Sequence, residues 1–287
     1  MLPDLIIDGI TVGSVYALVA VGMTIIFGVL RQINFAHGEY YMIGAFAAWW
    51  AIDQLDLPYV ASIPLALIVV ALLAVAIGVL VMQRLVDASF QAGVVATLGV
   101  SLVLQNVVIL LFGGSYKMFD GGWIEPVEVL GISIAEQRLL ITVAALVLFG
   151  ALEWVVRRTR MGKTMRAVSQ NVECCQVVGV DVRRVVLATF VLGTGLAALS
   201  GVLTAPIVVN IYGGMGASIT LKTFAVIVMG GMGNVGGTLL AGWLLGIIES
   251  LVAGYVGLQF RDAVGFSMLI LVLMWRPDGF FNVKARF

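Results

Sequence analysis

The stretch LIIDGITVGSVYALVAVGMTIIFGVL, residues 5–30, decides the fold class of this chain. A helix that crosses about 30 Å of hydrocarbon needs roughly 20 mostly apolar residues, and this stretch carries a single charged residue, Asp8. The sequence has no lysine or arginine before Arg31, so the stretch lacks the basic start of a cleavable signal peptide. We therefore expect it to remain in the protein as a membrane-spanning helix.

The rest of the chain has the same apolar character. Of its 287 residues, 61% are hydrophobic and 11% are charged, and the mean hydropathy is +1.11. Soluble domains are about 45–50% apolar and roughly 25% charged, so a soluble globular protein, a disordered chain and a nucleic-acid binder are all disfavoured. Eight more apolar segments follow the first, at residues 34–52, 60–82, 92–112, 139–156, 185–212, 221–232, 235–256 and 263–275.

These nine segments predict an all-α, polytopic transmembrane helical bundle of about nine crossings, with eight to ten allowed. Residues 221–256 are interrupted by four glycines, so we expect discontinuous, glycine-rich helices there. Such breaks are tolerated in a membrane protein only where they are buried or line a cavity, because lipid cannot satisfy freed N–H and C=O groups. The glycines can equally serve close helix packing.

The net charge of zero conceals an asymmetry between the two sides of the membrane. If the N-terminus lies outside, four cations fall on the outer side: Lys117, Arg138, Lys222 and Arg261. Twelve then fall on the inner side: Arg31, Arg84, Arg157, Arg158, Arg160, Lys163, Arg166, Arg183, Arg184, Arg276, Lys284 and Arg286. Cytoplasmic loops carry an excess of Lys and Arg, so the pattern predicts an N-out, C-in orientation.

No connecting segment is long enough to be a separate domain, so residues 1–287 are interpreted as one transmembrane domain. The two longest connections are a predicted periplasmic loop at residues 113–138 and a predicted cytoplasmic loop at residues 157–184. The second contains Gly162-Lys163-Thr164, but a phosphate-binding loop needs a glycine where this chain has Arg157. We therefore expect no nucleotide site in this chain, and no enzyme activity of its own.

The run GMGNVG, residues 231–236, fits a dinucleotide-binding pattern by spacing alone. That site also needs a preceding strand and an acidic residue about 20 positions later, whereas the next acid is Glu249. We reject the cofactor interpretation and expect Gly231, Gly233 and Asn234 to form a helix break that lines a translocation pathway or gate.

Polar residues at the start of the second segment are further candidates for that pathway. Residues 34–39 read NFAHGE and contain the chain's single histidine, His37. Ionisable groups in a membrane helix are costly unless they are paired or hydrated, so Asn34, His37 and Glu39 are functional candidates. They can also cap and pack the helix start, and the lack of a second histidine disfavours a metal site.

Glu249 lies deep in an apolar segment and is the remaining pathway candidate. Its partner is left open by the sequence, with Lys222, Asn210 and Gln105 as the alternatives. Small residues recur at four-residue spacing from Gly193 to Gly201 and from Gly242 to Gly246, a pattern typical of helix-contact faces.

Several stretches together resemble a known family. They are GSVYAL (13–18), GMT (22–24), INFAHGE (33–39), MIGA (42–45), GK (162–163), RA (166–167), GVD (179–181), GGMGN (230–234), GG (236–237), Gly246 with Glu249, and RPDGFF (276–281). In this order they resemble the inner-membrane permeases of ABC importers for branched-chain amino acids, and most closely the H-type permease of the leucine/isoleucine/valine system. The resemblance covers nearly the whole chain.

The resemblance implies a multi-pass protein of the bacterial inner membrane that works by alternating access without a cofactor. It implies as partners a second permease subunit, two cytoplasmic ATPase subunits, a periplasmic substrate-binding protein and membrane lipid. It also implies that a short helix in the cytoplasmic loop docks on the ATPase, with Gly162, Arg166, Ala167 and Asn171 as coupling residues. The basic side chains of this loop can alternatively serve only to set the topology.

Two other functions are kept open, and a third is disfavoured. A related permease for urea or short amides would differ in its binding protein. A stand-alone secondary transporter would work without ATP. An intramembrane enzyme would need paired acids or a histidine cluster at one depth, which the scattered acids and single histidine do not provide.

Overall fold

The computed structural model of the chain describes residues 2–86, 88–123, 125–129, 132–276 and 279–281. The described chain is mostly helical, which confirms the predicted class. Its α-helices are α1 (Leu2–Leu30), α2 (His37–Leu55), α3 (Tyr59–Leu80), α4 (Phe90–Phe112), α5 (Glu136–Arg158), α6 (Arg160–Gln170), α7 (Val172–Val177), α8 (Val182–Val208), α9 (Met215–Gly230), α10 (Val235–Tyr255) and α11 (Arg261–Trp275).

Each of the nine predicted apolar segments coincides with one of these helices. Within the described residues, seven helical segments are long and apolar enough to cross a membrane: Leu2–Leu30, Tyr59–Arg84, Phe90–Phe112, Glu136–Arg158, Val182–Val208, Val235–Tyr255 and Leu258–Trp275. Helix α9 is 16 residues long, and α2 is longer but more polar. The chain is therefore a multi-pass membrane protein, while nine crossings and the N-out orientation remain predictions.

Helix α1 forms the centre of the bundle, in contact with α2, α5, α6, α8, α9 and α10. Its most apolar stretch is 83% buried, against 11% in the segment Leu258–Trp275 at the periphery. An apolar side chain is stable in contact with lipid as well as with protein. Hydropathy therefore cannot predict which helices lie at the centre of the bundle and which at its periphery. Exposed apolar faces on α3, α4, α5 and α11 are available to lipid or to another subunit.

The predicted small-residue faces are helix contacts. A Cβ on Gly246 of α10 would lie 2.3 Å from the carbonyl oxygen of Gly9 in α1. In α8, Gly193 approaches the backbone of Gly22 in α1, and Gly201 approaches that of Tyr41 in α2. These separations leave no room for a side chain, so glycine permits the close approach of the helix backbones.

Four short strands depart from the all-helical expectation. Strands β2 (Pro126–Val129) and β3 (Ile132–Ala135) form an antiparallel pair in the predicted periplasmic loop. Strand β1 (Lys117–Met118) pairs with β4 (Asn210–Ile211), which follows α8. Strands this short give no clear alternating pattern. The sequence therefore predicted a loop at residues 113–138 and an apolar segment that continued through Asn210–Ile211 to residue 212.

Two of the four cations assigned to the outer side have their charged groups beside a buried carboxylate. Lys222 lies midway along α9 with a side chain only 10% exposed, and Arg261 begins α11 with its side chain directed at a buried carboxylate. The sequence placed them in loops because each adjoins the end of an apolar segment. Four residues used in the sequence analysis lie outside the described residues. Pro277 and Asp278 belong to a stretch that carries the resemblance, and Lys284 and Arg286 were counted as inner cations.

Candidate functional site

The Glu249 carboxylate is the centre of a buried charged cluster. The side chain of Glu249 is fully buried, and its Oε2 accepts a hydrogen bond of 2.7 Å from the Tyr16 hydroxyl. Lys222 Nζ lies 3.2 Å and Arg261 Nε 3.3 Å from the same oxygen. Of the three partners that the sequence left open, Lys222 is the one that contacts Glu249.

Lys222 connects this buried carboxylate to a more exposed one. Its Nζ lies 2.8 Å from Oδ1 of Asp262, whose side chain is 69% exposed, and donates to Tyr16 at 3.0 Å. The Glu249 cluster (Tyr16, Lys222, Glu249, Arg261 and Asp262) thus holds two anions and two cations, so its charges balance. Balanced pairing is what allows ionisable groups to persist inside a membrane protein.

The cluster extends from the middle of α1 and α9 to the start of α11. Tyr16 is the fifteenth of the 29 residues of α1, and Lys222 is the eighth of the 16 residues of α9. Sequence reasoning missed Tyr16, Arg261 and Asp262. The sequence did contain a signal for Arg261 and Asp262. They lie at the start of α11, and the preceding helix, α10, carries the intramembrane acid Glu249.

Glu39 forms a second polar group, at the start of α2. Its Oε1 accepts hydrogen bonds from the Ser101 hydroxyl at 2.8 Å and from Gln105 Nε2 at 2.9 Å. Its Oε2 is buried without a hydrogen-bond partner among the described residues, and a Cβ on Gly216 would lie 2.3 Å from it. Gln105, a candidate partner of Glu249, therefore binds Glu39 instead.

His37 and Asn34 lie near Glu39 at the start of α2 but have other partners. His37 is fully buried, with Nε2 3.0 Å from the carbonyl oxygen of Val19. Asn34 Oδ1 accepts a hydrogen bond from the Ala36 N–H at 3.1 Å, so it stabilises the turn before α2; Ala36, not Asn34, is the N-cap. Asn34 Nδ2, His37 Nδ1 and the hydroxyl of Tyr40 are buried without partners in the described chain.

Helix α9 connects the two polar groups. Gly216 packs against Glu39, and the Thr220 hydroxyl accepts a hydrogen bond from the Gly38 N–H at 2.9 Å. Lys222, two residues further on, belongs to the Glu249 cluster. A shift of α9 would therefore change contacts in both groups.

The glycine-rich break is a tight turn between two packed helices. Gly231 and Gly233 have φ angles of 86° and 88°, in the left-handed region that glycine adopts without strain. Asn234 then begins α10: its Oδ1 accepts from the Gly237 N–H at 3.0 Å, and its Nδ2 donates to the Phe281 carbonyl at 2.6 Å. The predicted interruption is confirmed, and the GxGxxG spacing arises from a helix–helix turn.

The predicted cytoplasmic loop contains two short helices, α6 and α7. Gly162 packs against the last turn of α5, where a Cβ would lie 2.2 Å from the Val156 carbonyl oxygen. Arg166 Nη1 donates a hydrogen bond to that same carbonyl. Both residues thus hold the corner between α5 and α6.

The other two predicted coupling residues have different environments. Ala167 lies on the exposed face of α6. Asn171 caps α7, since its Oδ1 accepts from the Cys174 N–H at 2.9 Å. At the end of α7, Val177 and Val178 are 89% and 78% exposed, an apolar projection that the sequence analysis missed.

The structure brings only some of the candidate residues together. Asn34, His37 and Glu39 all lie at the start of α2, but His37 contacts α1 whereas Glu39 contacts α4. Glu249 belongs to a separate cluster, and Gly233 and Arg166 line a common cavity at one end of the bundle. Among the described residues, no group of three or more His, Cys, Asp or Glu side chains could hold a metal ion.

A family profile described as "Branched-chain amino acid transport system / permease component" matches residues 5–273. The chain belongs to this permease family. Because the match covers every long helix of the bundle, the family assignment applies to the membrane domain itself and not to an appended segment.

Individual permeases are similar to this chain over nearly its whole length. It is 33% identical to the high-affinity branched-chain amino acid transport system permease protein BraD of Pseudomonas aeruginosa, over 96% of this chain and 94% of BraD. It is 32% identical to the permease proteins LivH of Salmonella typhimurium and Escherichia coli, over 95% of this chain and 92% of each relative. No solved structure matches the permease at a significant level.

Proposed function

We propose that the chain is the translocating subunit of an ATP-driven importer of branched-chain amino acids. The match to permeases of that transport system over 95% or more of the chain carries this proposal. The subunit would work by alternating access, with a second and different permease, two cytoplasmic ATPase subunits and a periplasmic binding protein. It would have no nucleotide site of its own.

The proposed location is the bacterial inner membrane, with nine crossings and an N-out, C-in orientation. Nine helices coincide with the nine apolar segments, and α6 and α7 fall in the most basic connection. In this orientation twelve of the sixteen cations fall on the inner side, which supports it. In this topology residues 113–138 would face the binding protein.

Helices α6 and α7 would couple the permease to its ATPase. Ala167 lies on the exposed face of α6, and α7 ends at the exposed pair Val177 and Val178. Ala167→Glu changes that face without disturbing the Gly162 and Arg166 contacts, so it should leave ATP hydrolysis running with much reduced uptake. Arg166→Glu should uncouple the two as well, and normal coupling in both variants would contradict this assignment.

The polar groups on either side of α9 would form the gate. Asn34, His37 and Glu39 lie at the start of α2, and Glu249 lies in the other group. The turn at Gly231, Gly233 and Asn234 ends α9, which contacts Glu39 through Gly216 and Glu249 through Lys222. Glu39→Gln retains the oxygen that accepts from Ser101 and Gln105, so the fold should persist while uptake falls. Uptake at the wild-type rate would argue against a role for this charge.

Reconstitution of the complex tests the whole proposal. The chain should copurify with ATPase subunits and a second permease, and proteoliposomes of the complex should accumulate leucine, isoleucine or valine when ATP and the binding protein are present. Uptake by the purified chain without ATP would instead show a secondary transporter. Uptake of urea or short amides alone would show a related permease with another substrate.

A further inference from the structure

A cavity of about 270 Å³ lies at the end of the bundle where α1 and α5 end and α10 begins. Its wall is formed mainly by apolar side chains, among them Phe27, Met165 and Met232. A Cβ placed on Gly28 would meet no atom within 4 Å, so this part of α1 faces open space. The cavity can therefore admit an apolar chain from the surface of the bundle.

Two arginines stand in the wall of this apolar cavity. Arg31 Nη2 donates to the Ser169 carbonyl at 2.9 Å, and Arg166 donates to the Val156 carbonyl. Neither guanidinium forms an ion pair with a described residue. A guanidinium has five N–H donors, so both retain donors for an anion.

Arg31 is the residue at which the chain leaves α1. Arg31 has a φ of 53°, in the left-handed region that is uncommon for residues other than glycine. This conformation directs the chain out of α1 while the Arg31 guanidinium binds the α6 backbone. A left-handed residue is a common end of an α-helix, and the Arg31 N–H donates to the Phe27 carbonyl at 2.7 Å.

The chemistry of the wall selects between possible ligands. The described residues that line the cavity include two cations and no Asp or Glu. A free amino acid would therefore find no acidic partner for its ammonium group. An anion with an apolar chain satisfies both the arginines and the apolar wall, and basic pockets between membrane helices on the cytoplasmic side bind anionic headgroups.

We propose that this cavity binds an anionic phospholipid of the inner leaflet, with the phosphate at Arg31 and Arg166 and part of an acyl chain beside Gly28. The placement in the inner leaflet rests on the proposed orientation. The lipid would contact α1, α6 and the α9–α10 turn together. Its occupancy would therefore stabilise the junction between the coupling helices and the transmembrane core.

The test measures lipid binding without transport. The full chain is incorporated into nanodiscs of phosphatidylcholine, alone or with phosphatidylglycerol, and the lipid that remains bound after extraction is counted by native mass spectrometry. The wild type should retain phosphatidylglycerol in preference to phosphatidylcholine. Each of Arg31→Gln and Arg166→Gln should weaken that binding roughly fivefold.

A separate variant tests the acyl-chain part of the site. Gly28→Leu should fill the cavity and reduce phosphatidylglycerol retention while both arginines stay in place. Gly99→Leu, at another open helical position, and Arg183→Gln, at an exposed arginine, are the matched controls and should bind as the wild type does.

Equal retention of the two lipids by the wild type would overturn the proposal. So would displacement of the lipid by inorganic phosphate together with unchanged binding by Gly28→Leu, because the apolar wall would then play no part. Loss of uptake in a complex that still binds phosphatidylglycerol would count against the proposed transport function alone.

Discussion

The ammonium group of Lys222 lies 3.2 Å from a carboxylate oxygen of Glu249, and the two residues come from adjacent helices of one tight hairpin. Glu249 has no exposed surface, so its charge depends on the groups that surround it. The pair therefore joins α9 to α10 at a buried carboxylate, whose charge would be costly without a partner.

Lys222→Met should destabilise the protein by roughly 3 kcal/mol, at the lower end of the cost of breaking a buried pair because Arg261 remains beside Glu249. The double variant with Glu249→Gln should lose less than the sum of the two single losses, since it leaves no buried charge unpaired. Thermal unfolding in detergent measures both. Lys163→Met, at an exposed lysine of α6, is the control, and strictly additive losses would rule out the coupling.

Gly246→Ala should destabilise the contact between α1 and α10. The new methyl group would lie 2.3 Å from the Gly9 carbonyl oxygen, so the helices must separate, at a cost of about 1–3 kcal/mol. Gly195→Ala in α8 meets no atom within 4 Å and should be neutral or stabilising. The thermal midpoints of the two variants should move in opposite directions or differ clearly, and equal midpoints would contradict the packing role.

Asn234 has two separable contacts. Asn234→Ala should lose both the cap of α10, worth about 0.5–2 kcal/mol, and the hydrogen bond to the Phe281 carbonyl. Asn234→Asp retains the capping oxygen and loses only the second contact. Hydrogen exchange at the first turn of α10 should therefore accelerate in the alanine variant and stay slow in the aspartate variant; acceleration in both would show that the Phe281 contact controls this turn.

Gly162→Ala should open the corner between α5 and α6. Its methyl group would lie 2.2 Å from the Val156 carbonyl oxygen, a backbone atom that can move only if the corner moves. In the reconstituted complex we expect less uptake per ATP hydrolysed. Gly150→Ala, at an open position of α5, should preserve the ratio. An unchanged ratio in Gly162→Ala would show that the angle of this corner does not affect coupling.

Helix positions could be predicted from the sequence because each membrane helix satisfies its own backbone hydrogen bonds locally. Residues 92–112 were expected as a segment and lie within α4 (Phe90–Phe112), and residues 235–256 correspond to α10 (Val235–Tyr255). The turn at Gly231 and Gly233 was visible for the same local reason. The pairing of β1 with β4 was not, because it joins residues over 90 positions apart.

The sequence by itself determined that this is a multi-pass helical membrane protein of a recognisable permease family. It also identified Glu39 and Glu249 as ionisable groups that are costly in a membrane helix unless they are paired. The partners of these acids were decided by the tertiary structure alone. Tyr16 meets Glu249 across 233 positions, and Gln105 meets Glu39 across 66. Hydropathy specifies that a helix enters the membrane, but which faces of two helices meet depends on close packing among all of them.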